Sequence, residues 1–143
     1  MKILLTLATV FMVAVWLTAA SAPTVVTYVH HDKVSAMMAK GGAIIEDQGL
    51  RVLAQRRGAG EAEVHAKTNH VFIIVDGEAT FVTGGTLVGA KETAPDQLRA
   101  PSIQGGQTHR SKGDVITIPA KTPHWWKEVS TKTIAYYGVN TEN

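Results

Sequence analysis

Short apolar runs separated by glycine, proline and polar residues dominate the chain after residue 42. Each run has four to seven residues, a length typical of β-strands rather than helices. Many short strands joined by turns are typical of a β-sandwich or β-barrel, so we predict an all-β fold. The predicted strands cover residues 43–46, 50–56, 61–66, 70–75, 78–83, 115–119, 123–129 and 133–139.

One segment has a helical period instead. Val34, Met37 and Met38 recur at a spacing that places them on one face of a helix. Asp32 can cap its start, and Gly41 can end it. The pattern predicts one short N-terminal helix over about residues 33–40.

Glycines mark the expected turns. Asp76 and Gly77 lie between two predicted strands and indicate a tight hairpin, and residues 112–114 indicate a second turn. Residues 84–106 between them are mostly small and polar. A connection of this length in a compact domain is either a functional flap or a flexible excursion.

The first 22 residues have the features of an export signal. Lys2 precedes an uncharged apolar stretch over residues 3–20, and small residues follow. We predict a signal peptide over residues 1–22, cleaved after Ala20 or Ala22, and one domain over residues 23–143 that is exported to the periplasm or the extracellular space. An uncleaved membrane anchor is the alternative, since the apolar stretch is just long enough to cross a bilayer.

Composition narrows the possible functions. The 143 residues carry 14 Lys and Arg against 12 Asp and Glu, so the small net charge argues against a nucleic-acid partner and, after signal cleavage, against a membrane partner. The absence of cysteine excludes cysteine nucleophiles and disulfides, which leaves packing or a metal to stabilise the domain. No Gly-x-Ser-x-Gly or phosphate-binding glycine motif is present.

Three potential metal ligands lie on two adjacent predicted strands. Side chains two residues apart in a strand share a face, so Glu63 and His65 point the same way. His70 shares a face with the apolar Phe72 and Ile74, which indicates that it points inward. The short turn over residues 66–69 would bring these three polar side chains together.

A fourth potential ligand follows a proline-bounded turn. Pro119 and Pro123 enclose a stiff turn that delivers His124 to the start of a strand, with Trp126 on the same face. With Glu63, His65 and His70, His124 makes four possible ligands that could converge.

These two motifs resemble those of the cupin superfamily of small jelly-roll β-barrels. The first cupin motif has a His-x-His pair, then Glu, then Gly, and the corresponding positions here are Glu63, His65, His70 and Gly77. The spacing is retained while Glu and one His are exchanged.

The second cupin motif is closer to the family pattern. Gly113, Pro119 and His124 stand at its spacing, whereas Lys121 replaces the usual inner glycine and Glu128 the usual asparagine. The resemblance covers about residues 50–139 and implies a cupin-type jelly-roll β-barrel.

The resemblance also implies a metal centre and a function. The family's three His and one Glu correspond to His65, His70, His124 and Glu63, which would hold one divalent transition metal among Fe, Mn, Ni, Cu and Zn. A metal-dependent oxygenase or a lyase or isomerase acting on a small oxygen-bearing molecule is then expected. A non-catalytic binding or sensing module and a metal-free barrel with His65 or His70 as acid–base are the alternatives. A homodimer is implied as well, in which residues 24–29 could add to a neighbour's sheet.

Other candidates remain open at this point. Trp126 either walls the pocket or fills the core, and Phe72, Glu128 and His109 are further pocket candidates. Arg56 and Arg57 are either solvated or able to hold an anionic substrate. One of Tyr136 and Tyr137 must face inward, where its hydroxyl could donate a proton, and His30 and His31 are expected at the surface.

Overall fold

The computed structural model describes residues 23–110 and 112–142. The signal peptide predicted for residues 1–22 lies outside them. The elements of the described part are α1 (His31–Lys40), β1 (Gly42–Asp47), β2 (Leu50–Arg57), β3 (Ala62–His65), β4 (Thr68–Asp76), β5 (Ala79–Thr83), β6 (Thr86–Val88), β7 (Lys91–Ala94), β8 (Gln97–Ala100), β9 (Ser102–Gln104), β10 (Gln107–Arg110), β11 (Val115–Ile118), β12 (His124–Val129) and β13 (Ile134–Glu142).

The strands form two main antiparallel sheets. One has the order β1-β2-β13-β4-β11 and the other the order β10-β5-β12-β3-β8-β7, while β6 and β9 form a separate pair. Their facing sides bury one apolar core, the arrangement of a jelly-roll β-barrel. The buried core consists of Phe72, Ile74, Ala79, Phe81, Ile118, Trp126, Ile134 and Tyr136.

The eight strands predicted from the sequence are all present, because short β-branched and aromatic runs fit a half-buried pleated surface. The hairpin predicted at Asp76–Gly77 is wrong, because β4 belongs to the five-stranded sheet and β5 to the six-stranded sheet, so this short connection crosses between the sheets instead of joining paired strands. Gly77 has φ 88°, and a Cβ atom there would lie 2.5 Å from the carbonyl oxygen of Thr133. A larger residue would therefore clash with backbone as well as strain the β4–β5 connection.

The helix is confirmed, but Asp32 as its cap is wrong. His30 is the N-cap: its backbone is extended, and its side chain accepts a 3.4 Å hydrogen bond from the Asp32 N–H. Asp32 lies in the first turn. Val34, Met37 and Met38 form the half-buried face, as expected, and α1 ends at Gly41.

The prediction of a flap or flexible excursion over residues 84–106 is wrong. This segment forms β6 to β9, and β8 pairs with β3 in the six-stranded sheet. Its side chains are mostly polar because much of the segment lies at a sheet edge, where the exposed positions need no apolar residue. The pairing extends the sheet face that carries Glu63 and His65.

The remaining N-terminal residues carry exposed apolar side chains. Val25, Val26 and Tyr28 are largely accessible, and residues 23–30 belong to no strand. Their addition to a neighbouring sheet stays a prediction. His30 and His31 are exposed, as expected. Within the described ranges, no helix has the length and apolar character needed to cross a bilayer.

Candidate metal centre

Three histidines from different strands meet between the two main sheets. His65 ends β3, His70 lies in β4, and His124 begins β12. One ring nitrogen of each lies within 4.8 Å of the others. His70 is 6% exposed and His124 only 1%, so this histidine triad sits largely inside the barrel.

The turn before His124 is tied to the strands that carry the other two histidines. The Lys121 N–H donates a 2.7 Å hydrogen bond to the carbonyl oxygen of His65, and the Ala120 N–H donates one of 2.9 Å to the Asn69 side chain. Lys121 has φ 66°, a left-handed conformation that glycine adopts more readily than lysine.

Hydrogen bonds fix the orientation of the two buried rings. His70 Nδ1 lies 2.8 Å from the side-chain oxygen of Asn140, and His124 Nδ1 lies 3.1 Å from the carbonyl oxygen of Thr122. Because these oxygens accept, each Nδ1 carries the hydrogen and each Nε2 presents a lone pair. Both Nε2 atoms are buried and have no hydrogen-bond partner.

Such unpaired nitrogens are unfavourable in a protein interior. An unsatisfied buried polar atom costs about 1–3 kcal/mol, and coordination of a cation by the lone pairs would remove that cost. The donor set and its orientation therefore fit a divalent transition metal.

His65 is held by a residue that sequence reasoning missed. The side-chain nitrogen of Gln97 lies 3.3 Å from His65 Nε2 and donates a 3.0 Å hydrogen bond to Glu63 Oε2. Gln97 stands directly opposite His65 in the β3–β8 register. Only the pairing of β8 with β3 identifies Gln97, because its own sequence context has no distinguishing motif.

Glu63 borders the triad. It pairs with His124 in the β3–β12 register, and its Oε1 lies 3.5 Å from His124 Nε2. The same carboxylate contacts Arg99 at 3.2 Å and Arg57 at 3.8 Å. Glu63 is thus next to the three histidines but held by two guanidinium groups, and its role as fourth metal ligand stays a prediction.

The protonation states match those that metal binding requires. Burial lowers the pKa of His70 to about 4 and also lowers the pKa of His65, so both imidazoles are neutral near pH 7. Burial alone would raise the pKa of Glu63. The adjacent His124 ring, 3.5 Å away, and the charge of Arg57 outweigh burial and lower this pKa to about 2.

A cavity of about 390 Å³ opens beside the triad. His65, His70 and Glu63 lie in its wall, together with Phe72 and Tyr136. Burial raises the pKa of Tyr136, so its hydroxyl remains protonated.

The comparisons identify the fold. No protein-family model matches the chain, and no match was found among the curated proteins. Among solved structures, 22 chains match. A protein from Bacillus halodurans has a TM-score of 0.51 at 14% identity, with 81% of each chain covered. At this identity the similarity shows the fold alone.

Two further structures have lower scores. A Ralstonia eutropha protein provisionally named a mannose-6-phosphate isomerase has a TM-score of 0.47 at 16% identity, covering 72% of this chain and 83% of its own. The capsular polysaccharide assembling protein CapF of Staphylococcus aureus has a TM-score of 0.44 at 13% identity, covering 73% of this chain and 29% of its own. The fold is a cupin-like jelly-roll β-barrel.

Most of the other pocket candidates lie away from the cavity of this barrel. Trp126 is 2% exposed and packs in the core, with its ring centre 4.1 Å from that of Phe81. Glu128 is exposed and borders a different cavity. His109 is half-buried on β10, where its ring contacts the Thr83 hydroxyl at 2.9 Å. Phe72 alone of the four faces the site.

Proposed function

We propose that this protein is a member of the cupin superfamily that binds one divalent transition metal through His65, His70 and His124. The buried, unpartnered Nε2 atoms of His70 and His124 carry this proposal, because their lone pairs lie within reach of a common ion. Glu63 is the proposed fourth ligand. Imidazole with carboxylate suits Fe, Mn, Ni, Cu or Zn, so the metal is not specified further.

We further propose that the metal centre acts on a small oxygen-bearing organic molecule as an oxygenase or as a lyase or isomerase. When bound, such a metal polarises a substrate oxygen or activates water or dioxygen. Asn140 and the Thr122 carbonyl keep the two buried rings aimed at one point. Phe72 gives the cavity an apolar wall, and the protonated Tyr136 hydroxyl supplies a hydrogen-bond donor.

A non-catalytic module that binds or senses a ligand is the second candidate. The contacts made by Glu63, the carboxylate beside the triad, favour this candidate. Arg57, Arg99 and Gln97 all contact this carboxylate, which makes it a poor free base for proton abstraction. A third candidate, metal-free acid–base catalysis by His65 or His70, predicts full activity in the presence of a chelator.

The cellular setting is also part of the proposal. The apolar segment and small residues before position 23 support export to the periplasm or extracellular space. The exposed apolar side chains of residues 24–29 support a homodimer in which this segment joins a neighbouring sheet. Fractionation and sedimentation of the mature protein test these two points.

Metal content per chain tests the central proposal. Untagged protein purified from the periplasm is analysed by elemental mass spectrometry beside His124→Ala, with His109→Ala as the matched control. We expect one metal per chain in the wild type and in His109→Ala, and none in His124→Ala. Folded wild-type protein that carries no metal and takes up none when supplied would contradict the proposal.

Turnover separates the first two candidates. A redox-active metal directs the assay to oxygen consumption, and zinc directs it to lyase or hydrolytic chemistry. Stoichiometric ligand retention without turnover by the metal-loaded protein would favour the binding module.

A further inference from the structure

Two guanidinium groups converge on one carboxylate beside the histidine triad. Arg57 ends β2 in the five-stranded sheet, and Arg99 lies on β8 in the six-stranded sheet. Their nitrogens lie 3.8 Å and 3.2 Å from the oxygens of Glu63. Because Glu63 carries one negative charge, this group of three side chains keeps one positive charge uncompensated.

Both arginines are accessible to a ligand in the cavity. Their side chains are 30% and 37% exposed, and both lie in the cavity wall together with Glu63. A guanidinium presents a planar fork of donors that matches a carboxylate or a phosphate. Arg57 also contacts the Tyr136 hydroxyl, and each guanidinium has more donors than its contacts with Glu63 and Tyr136 use.

The other acidic residues of the cavity belong to its opposite end. Glu46 pairs with Arg51 at 3.1 Å, and Asp47 and Glu142 lie near the β1–β2 turn. Arg51 and Arg57 are six residues apart on the same face of β2, so their Cα atoms are roughly 20 Å apart. These acids therefore do little to repel an anion that approaches Arg57.

We propose that Arg57 and Arg99 bind the anionic group, a carboxylate or a phosphate, of the small molecule held at the triad. Glu63 is the resident counterion, and the incoming anion takes its place on the guanidinium groups. Glu63 then becomes free to turn toward the triad, since its Oε1 is already 3.5 Å from His124 Nε2. Anion binding and metal binding would consequently strengthen each other by the same factor.

The anion site rests on the proposed function only because the proposed metal would lie next to it. Anion binding can therefore be tested on protein with and without metal. Calorimetric titrations at low ionic strength use inorganic phosphate, succinate and the uncharged succinamide as probes, on metal-free and on Ni²⁺-loaded protein. We expect phosphate or succinate to bind and succinamide not to bind. The stronger of the two anions identifies the preferred headgroup.

Three variants and one control localise the binding. Arg57→Gln and Arg99→Gln should each weaken anion binding about tenfold or more, the loss expected for a charge-assisted hydrogen bond. Glu63→Gln should strengthen phosphate binding to the metal-free protein about tenfold, because it frees both guanidinium groups. Arg56→Gln is the matched control, since Arg56 points to the other face of β2 and pairs with Asp76.

Stronger phosphate binding in Glu63→Gln is an effect that a merely structural role of the two arginines would not produce. Arg57→Lys, which keeps the charge without the fork, covers the case in which Arg57→Gln fails to fold. Equal weakening in Arg56→Gln, equal binding of succinate and succinamide, or no gain in Glu63→Gln would each overturn the anion site.

Metal uptake distinguishes this proposal from the one above. Arginine-dependent anion binding by a protein that takes up no metal would overturn only the metal centre. One metal per chain without arginine-dependent anion binding would overturn only the anion site. Anion binding that leaves Ni²⁺ affinity unchanged would exclude the release of Glu63 toward the triad.

Discussion

Lowering the pH should destabilise the metal-free protein at pH values well above those at which carboxylates become protonated. The pKa of His70 falls from its ordinary value of 6.5 to about 4 in the folded chain, chiefly because the ring is buried. Between these two values the unfolded chain binds a proton that the folded chain does not. Protonation therefore favours unfolding, and the stability present above pH 6.5 is lost as the pH falls toward 4.

The expected loss is large relative to the stability of a small domain. The difference between 6.5 and about 4 corresponds to roughly 3 kcal/mol for His70 alone. The lowered pKa of His65 acts in the same direction. Glu63 adds a further loss only below pH 4.5, because its pKa is lowered to about 2. The slope between pH 6.5 and 4.5 thus reports the histidines.

Urea unfolding of chelator-treated protein at a series of pH values measures this slope. His70→Gln keeps a polar side chain beside Asn140 but cannot titrate, so it should show a shallower slope even if it is less stable at pH 7. His31→Gln replaces an exposed histidine outside the cavity and should retain the wild-type slope. Equal slopes in wild type and His70→Gln, or a flat wild-type profile down to pH 4.5, would refute the reasoning.

Three further outcomes are expected. Zn²⁺ at a hundredfold its Kd should raise the free energy of unfolding of the wild type by about 2.7 kcal/mol and leave His124→Ala unchanged, as measured by urea titration with and without metal. Lys121→Gly should change the free energy of unfolding by less than about 1 kcal/mol. Glycine relieves the strain of the left-handed backbone, but it also makes the unfolded chain more flexible, and the two effects offset each other. The shift in the urea midpoint measures the result. Gly77→Ala should destabilise by more than about 1 kcal/mol, since its Cβ would meet the Thr133 carbonyl oxygen; a wild-type melting temperature would contradict that clash.

The inward orientation of the three histidines could be predicted from the sequence because it depends on local geometry. Alternation along a strand places His65 and His70 on inward faces, and the two prolines of the β11–β12 turn place His124 at a strand start. These relations involve residues close together in the chain. The triad agrees with them, but the meeting of His124 with His65 also requires β12 to pair with β3.

The alternation of side chains along a strand predicts which face of the sheet a residue occupies, but not where along the barrel it lies. Trp126 points inward, as expected, yet it lies in the core rather than in the cavity wall. Tyr136, not Tyr137, faces the cavity, which depends on how β13 pairs with β2 and β4. The position of a side chain along the barrel is set by the register between strands.

The sequence by itself therefore determined eight of the strands, the N-terminal helix and the inward orientation of the histidines, while the tertiary structure decided what surrounds them. Gln97 and Arg99 come from the segment expected to be a flap, and they reach Glu63 because β8 pairs with β3. The physical reason is that face alternation is a property of one strand, encoded in adjacent residues. Strand pairing joins segments more than thirty residues apart, and its energy comes from packing that no single segment contains.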